Sequence, residues 1–131
     1  MSALKFVDKT PGTTAPVTGW VLQVVEPVLT AREILRRRVF EEVSRFNATR
    51  GQVFQGLVQP SDTERALNGY KLKKPRQLDW HEQFDRAVQA FEKNRFLLLV
   101  GDRQVESLAE ELMLGVETEI TFLKLVPLVG G

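Results

Sequence analysis

The stretch Glu119-Ile120-Thr121-Phe122-Leu123-Lys124-Leu125-Val126-Pro127-Leu128-Val129-Gly130-Gly131 joins two kinds of chain back to back. Residues 119–126 (EITFLKLV) are β-branched, aromatic and aliphatic, without glycine or proline, which is the composition of a strand. At a period of two, Thr121, Leu123 and Leu125 point one way, and Ile120, Phe122, Lys124 and Val126 the other. Lysine resists full burial, which puts the second set on the more open face of a sheet. Pro127 removes a ladder donor and ends pairing. Residues 127–131 (Pro127, Leu128, Val129, Gly130 and Gly131) are therefore expected to project as a tail.

Upstream, residues 96–100 (FLLLV) form a continuous apolar run, as a strand buried on both faces would. Gly101-Asp102 is a tight-turn signal leading to Gln104-Val105. Residues 107–114 read as one helical turn or an irregular crossing before Gly115. A helix is expected from Asp79, with Glu82 as capping partner, an apolar stripe of Trp80, Phe84, Ala87, Val88 and Phe91, and a stop at Asn94. Residues 51–76 carry weaker signals. Val53 to Val58 suits a strand, Pro60-Ser61-Asp62 a turn, and Asn68-Gly69 a hairpin turn.

At the other end, residues 4–7 (LKFV) and 17–25 (VTGWVLQVV) read as two strands around the turn residues Pro11-Gly12. Glu26-Pro27 closes the second. Thr30 with Glu33 has the capping-box spacing. Ile34, Leu35, Val39, Phe40, Val43 and Phe46 then recur at helical spacing, so a helix runs to about Asn47 and ends before Gly51. Arg36-Arg37-Arg38 reads as a solvated helix face, with Glu41 and Glu42 one turn on to pair with it.

Bulk composition narrows the function classes. The 131 residues suit one domain, and 43% hydrophobic with 27% charged content is that of an ordinary globular protein. Eighteen basic residues against seventeen acidic ones give no electrostatic case for a nucleic acid or an anionic membrane partner. There is no cysteine and one histidine, so a thiolate metal site is excluded and a bound metal or cofactor is not expected. No signal peptide or membrane span is recognisable, and the expected location is cytoplasmic. Asp79, Glu82 and Asp85 lie along one helix, a spacing of capping and solvation, so the chain is read as not an enzyme.

The order is strand, strand, helix, helix-bearing insertion at about 51–95, strand, strand and strand. It resembles the ubiquitin-like β-grasp superfamily: an α+β fold with a mixed β-β-α-β-β-β sheet and a single domain over 1–131. Phe6-Val7-Asp8-Lys9-Thr10 looks like the family's first strand and turn, and Glu26-Pro27 is similar to the dipeptide before the ubiquitin helix. Residues 98–105 (LLVGDRQV) resemble its late strand-turn-strand. The diglycine end resembles both ubiquitin-like modifiers and the small sulfur carriers of the molybdopterin and thiamine pathways. Pro127-Leu128-Val129 looks more like the carriers, whereas the insertion is more at home among bacterial ubiquitin-like proteins.

The resemblance implies a protein modifier whose Gly131 carboxylate is activated by an E1-like enzyme with ATP and magnesium and then joined to target amines. E2-like and deubiquitinase-like enzymes would be further partners. Gly130 and Gly131 suit a narrow activation channel because they carry no side chains, and Pro127, Leu128 and Val129 would be read as the tail is bound. Two other functions remain open: a sulfur carrier ending as a Gly131 thiocarboxylate, and a β-grasp interaction module with an inert tail. Ile120, Phe122, Lys124 and Val126 are a candidate partner patch on the open sheet face. The competing reading is that the Trp80-Phe84-Val88-Phe91 helix covers that face.

Overall fold

The computed structural model describes residues 1–12, 18–67 and 69–125. In chain order the elements are β1 (Ser2–Lys9), β2 (Thr18–Val24), β3 (Val28–Thr30), α1 (Ala31–Thr49), β4 (Val53–Phe54), β5 (Thr63–Ala66) and β6 (Gly69–Leu72). They continue with α2 (Trp80–Glu92), β7 (Phe96–Val100), β8 (Arg103–Val105), β9 (Glu111–Met113) and β10 (Thr118–Lys124). The fold is α+β with a mixed sheet. It divides into two compact units, Met1–Glu33 with Phe91–Gly131, and Ile34–Ala90.

The first unit is built on a five-stranded sheet of order β2-β1-β10-β7-β8. Its central pair, β1 and β10, is parallel, and every other pair is antiparallel. The N-terminal hairpin and the hairpin turn at Gly101-Asp102 both form as the sequence implies. Val100 pairs with Arg103 across that turn, and Gly101 takes φ 61°, which glycine accepts without steric cost. Cross-strand partners share a face, so the register gathers Leu4, Phe6, Val24, Phe96, Leu98, Val105, Ile120 and Phe122 on one side, all buried. Phe122 meets Phe6 and Phe96 at ring-centroid separations of 5.9 and 5.8 Å. Burying each such side chain contributes about 1.5–3 kcal/mol.

Residues 107–114 differ from expectation. Glu111–Met113 is a strand, β9, antiparallel to β3 just ahead of the helix. Its approach satisfies helix donors: Ala31 N–H donates to Glu110 O at 2.8 Å and Arg32 N–H to Leu108 O at 2.9 Å. Thr30 Oγ1 accepts from Glu33 N–H at 3.1 Å, the expected cap. The first-turn donors of α1 are thereby paired, although a three-residue strand has too little periodicity to be seen in sequence.

The second unit holds α1 from Ile34 onward, the antiparallel sheet β4-β6-β5, and α2 up to Ala90. The expected helices both form. α1 runs to Thr49, and Arg50 supplies the left-handed residue, φ 52°, just before Gly51. Asp79 Oδ1 accepts from His81 N–H at 2.9 Å and caps α2, which stops before Asn94 at φ 56°. Gly69 of the expected turn pairs with Ala66 as the first residue of β6, and Asn68 lies outside the described residues. Glycine is required there because a Cβ would stand 2.4 Å from Phe54 O. Residues 53–58 form only the two-residue β4.

One residue of the arginine run is placed otherwise than expected. Arg38 is 1% exposed, not solvated, although its pairing with Glu42 at 3.2 Å is the expected i,i+4 contact. Ile34, Leu35, Arg38, Val39, Glu42, Val43 and Phe46 recur at helical spacing, so Arg38 falls within the buried stripe. Phe40, expected on that stripe, is 41% exposed and packs edge-on against Trp80 at 5.5 Å.

Candidate functional site

The site implied by the sequence begins where β10 ends. Leu125 N–H donates to Arg95 O at 3.1 Å, so the chain is held by backbone one residue past the strand. Val126, Pro127, Leu128, Val129, Gly130 and Gly131 lie outside the described residues. β10 is a central strand, hydrogen-bonded to β1 on one side and β7 on the other. The strand that precedes these residues is thus paired on both sides.

The expected patch of Ile120, Phe122, Lys124 and Val126, the last of which lies outside the described residues, requires correction. Ile120 and Phe122 are 0% exposed and belong to the core face, so neither lines a surface. Lys124 sits on the same face but at the last position of β10, where its stem lets Nζ reach Asp8 Oδ2 at 3.8 Å. A lysine at the end of a strand can reach solvent from an otherwise buried face. Its presence therefore did not mark the open side.

The opposite face is the more open one. It carries half-buried Leu97, Leu99 and Leu123 and exposed Val21, Lys5, Glu119 and Gln104, although Ala3, Val7 and Thr121 on the same face are buried. The run at 96–100 is thus buried on one face only, through Phe96 and Leu98. Leu123, assigned in the sequence with Thr121 to the face away from Lys124, is half-buried on this side, whereas Thr121 is buried. Leu125, 36% exposed, follows β10.

A separate open concavity of about 700 Å³ lies alongside β8 and the residues after it. Arg32, Asn94, Gln104 and Ser107 line it together with the apolar Phe91 and Leu108. Ser107 Oγ accepts from Ala109 N–H at 3.1 Å, a turn contact, and Arg103 pairs with Glu110 nearby. Among the described residues no group of three or more His, Asp or Glu side chains is placed to hold a metal ion. No helix among them is long and apolar enough to cross a membrane.

No protein-family model, curated protein or solved structure matches the chain.

Proposed function

We propose that the chain is a ubiquitin-like β-grasp protein modifier, activated at Gly131 and conjugated to target amines. The observation that carries this reading is the sheet order, β2-β1-β10-β7-β8 with a parallel central pair, together with the diglycine that follows β10 in the sequence. Such an order fits the mixed β-grasp sheet. It also makes the strand before the diglycine a central one, so that pull on the tail meets hydrogen bonds on both sides.

The chemistry this reading requires starts from a free carboxylate on Gly131. A Gly131 carboxylate oxygen attacks the α-phosphate of ATP, pyrophosphate leaves, and an acyl-adenylate forms. A partner's cysteine thiolate then attacks the carboxyl carbon and AMP leaves, giving a thioester. A target amine displaces the thiolate, loses a proton and forms the amide. Nucleophile, base and magnesium all belong to partners; this chain supplies the carboxylate and, in Gly130-Gly131, an end free of side chains. The open face around Leu97, Leu99 and Leu123 is the surface we assign to partner recognition, in place of Ile120 and Phe122.

Pro127-Leu128-Val129 supports a second reading, in which Gly131 ends as a thiocarboxylate for sulfur transfer. Intact mass spectrometry with a candidate E1-like enzyme and Mg-ATP, with and without added sulfide to displace AMP from the adenylate, separates the readings. A thiol-sensitive covalent complex that is lost when Gly130-Gly131 is deleted, followed by amine-linked adducts, is the expected result. Replacement of one tail oxygen by sulfur would favour the carrier. With an enzyme shown to be active on another substrate, absence of adenylate, thioester and thiocarboxylate would overturn both, leaving an interaction module.

A further inference from the structure

The sheet edges differ in how they are protected. β8, at one edge of the five-stranded sheet, is three residues long and begins with Arg103. β5, at an edge of the smaller sheet, carries Glu64 and Arg65. Shortness and charge are ordinary means of keeping an edge from pairing with another chain. β2, at the other edge of the large sheet, uses neither: its seven residues, TGWVLQV, include no charge and no proline. Among the described residues, β1 is its one neighbouring strand.

The outward backbone groups can be assigned. Phe6 O lies 3.0 Å from where a Cβ on Gly19 would stand, so the Phe6 carbonyl points towards β2. Inward and outward residues alternate in antiparallel pairing. With Phe6 opposite Trp20, it is Gly19, Val21 and Gln23 that turn N–H and C=O to the outer edge. All three are exposed, and Val21 keeps 46% of its surface in solvent.

We propose that this edge pairs with the β2 edge of a second copy of the chain, antiparallel about a twofold axis at Val21. In that register Val21 meets Val21, and Gly19 meets Gln23, each pair exchanging both backbone hydrogen bonds. Trp20 falls opposite Leu22 on the core-side face, an aromatic–aliphatic pair of the kind that stabilises antiparallel strands. The strand's lack of charge permits pairing with its own copy, since no like charges meet anywhere along it. The charge paired with Val21 inside each chain is Lys5 on β1. Three strand spacings separate the two Lys5 positions in the dimer, roughly 14 Å, beyond the screening length at physiological salt. Because the opposite edge is short and charged, association closes at two chains instead of growing into a fibre.

A contact confined to one strand edge, Gly19 to Gln23, belongs to the weak, transient class. Sedimentation equilibrium of the full chain up to about 1 mM is the test, with mass expected to rise from 14.9 kDa towards twice that value. Val21→Glu and Val21→Lys each place like charges at the axis, and each is expected to weaken self-association by about tenfold. Mixing the two variants brings opposite charges together and restores a one-to-one dimer. Gln104→Glu, on the β8 edge, leaves association unchanged. A single mass of 14.9 kDa throughout would overturn the proposal. So would a dimer indifferent to both Val21 variants, or one lost in both and not regained on mixing. Amide exchange of the unmodified chain gives a reading free of any folding defect. Gly19, Val21 and Gln23 slow as concentration rises, whereas Trp20 and Leu22, bonded to β1, do not; no such slowing would refute the pairing.

Discussion

The sheet unit and the 34–90 unit keep their interiors together by different means. In the sheet unit the interior is one apolar face, set by strand register and dominated by Leu4, Phe6, Leu98, Ile120 and Phe122. In the 34–90 unit, polar side chains reach across the chain to fix irregular backbone. Glu42 pairs with Arg38 through one carboxylate oxygen and accepts Leu57 N–H, at 3.3 Å, through the other. Asn47 grips Leu78 from both sides, donating to its carbonyl at 3.0 Å and accepting from its N–H at 2.9 Å. Gln83, buried on α2, donates to Val58 O at 3.1 Å. Among the described residues no buried side-chain nitrogen or oxygen lacks a hydrogen-bond partner. Periodic apolar pattern thus decides where regular elements go, and satisfied polar groups decide where loops go.

Substitutions in each unit put this contrast under strain. Phe122→Ala should have the largest effect, about 4 kcal/mol of lost stability by urea unfolding, because it empties space between the Phe6 and Phe96 rings. Glu42→Ala comes next, at about 3 kcal/mol, since it strips a partner from a guanidinium that is 1% exposed. A loss under about 1 kcal/mol would mean that the polar clamp is ornamental and the contrast wrong. Replacing both Arg38 and Glu42 by apolar residues of similar volume should cost less than Glu42→Ala alone. Asn47→Ala, which removes both bonds to Leu78, should cost about 2 kcal/mol, with amide exchange at Leu78 rising more than at Phe6 or Ile120. Thr30→Ala should be smallest, about 1 kcal/mol, read as faster exchange of Glu33 N–H.

The same contrast explains what could be read in advance. Both helices were legible from apolar spacing and caps at Thr30 and Asp79, and the hairpins from runs broken by turn residues. Arg38 is legible in principle, four residues after Ile34 and three after Leu35, but its charge argues for solvent while its position argues for the core. Lys124 misled in the reverse direction: its side chain reached Asp8 from the end of the core face, and the faces of β10 were exchanged. β3 and β9 were not legible, because three-residue strands are chosen by their partner and not by their own pattern. The clamps of Glu42 on Leu57 and Asn47 on Leu78 join residues 15 and 31 apart, distances at which no local rule operates.

By itself the sequence determined the alternation of β10, the helix caps, the turn at Gly101-Asp102 and the presence of Gly130-Gly131 after Pro127. These depend on backbone angles, donors and periodicity within a few residues, which a chain carries wherever it folds. Only the tertiary structure decided that β10 pairs parallel to β1, that Ile120 and Phe122 face inward, and that the open side belongs to Leu97, Leu99 and Leu123. Alternation defines two faces without saying which is buried. That choice is made when distant strands meet and the larger apolar area leaves water.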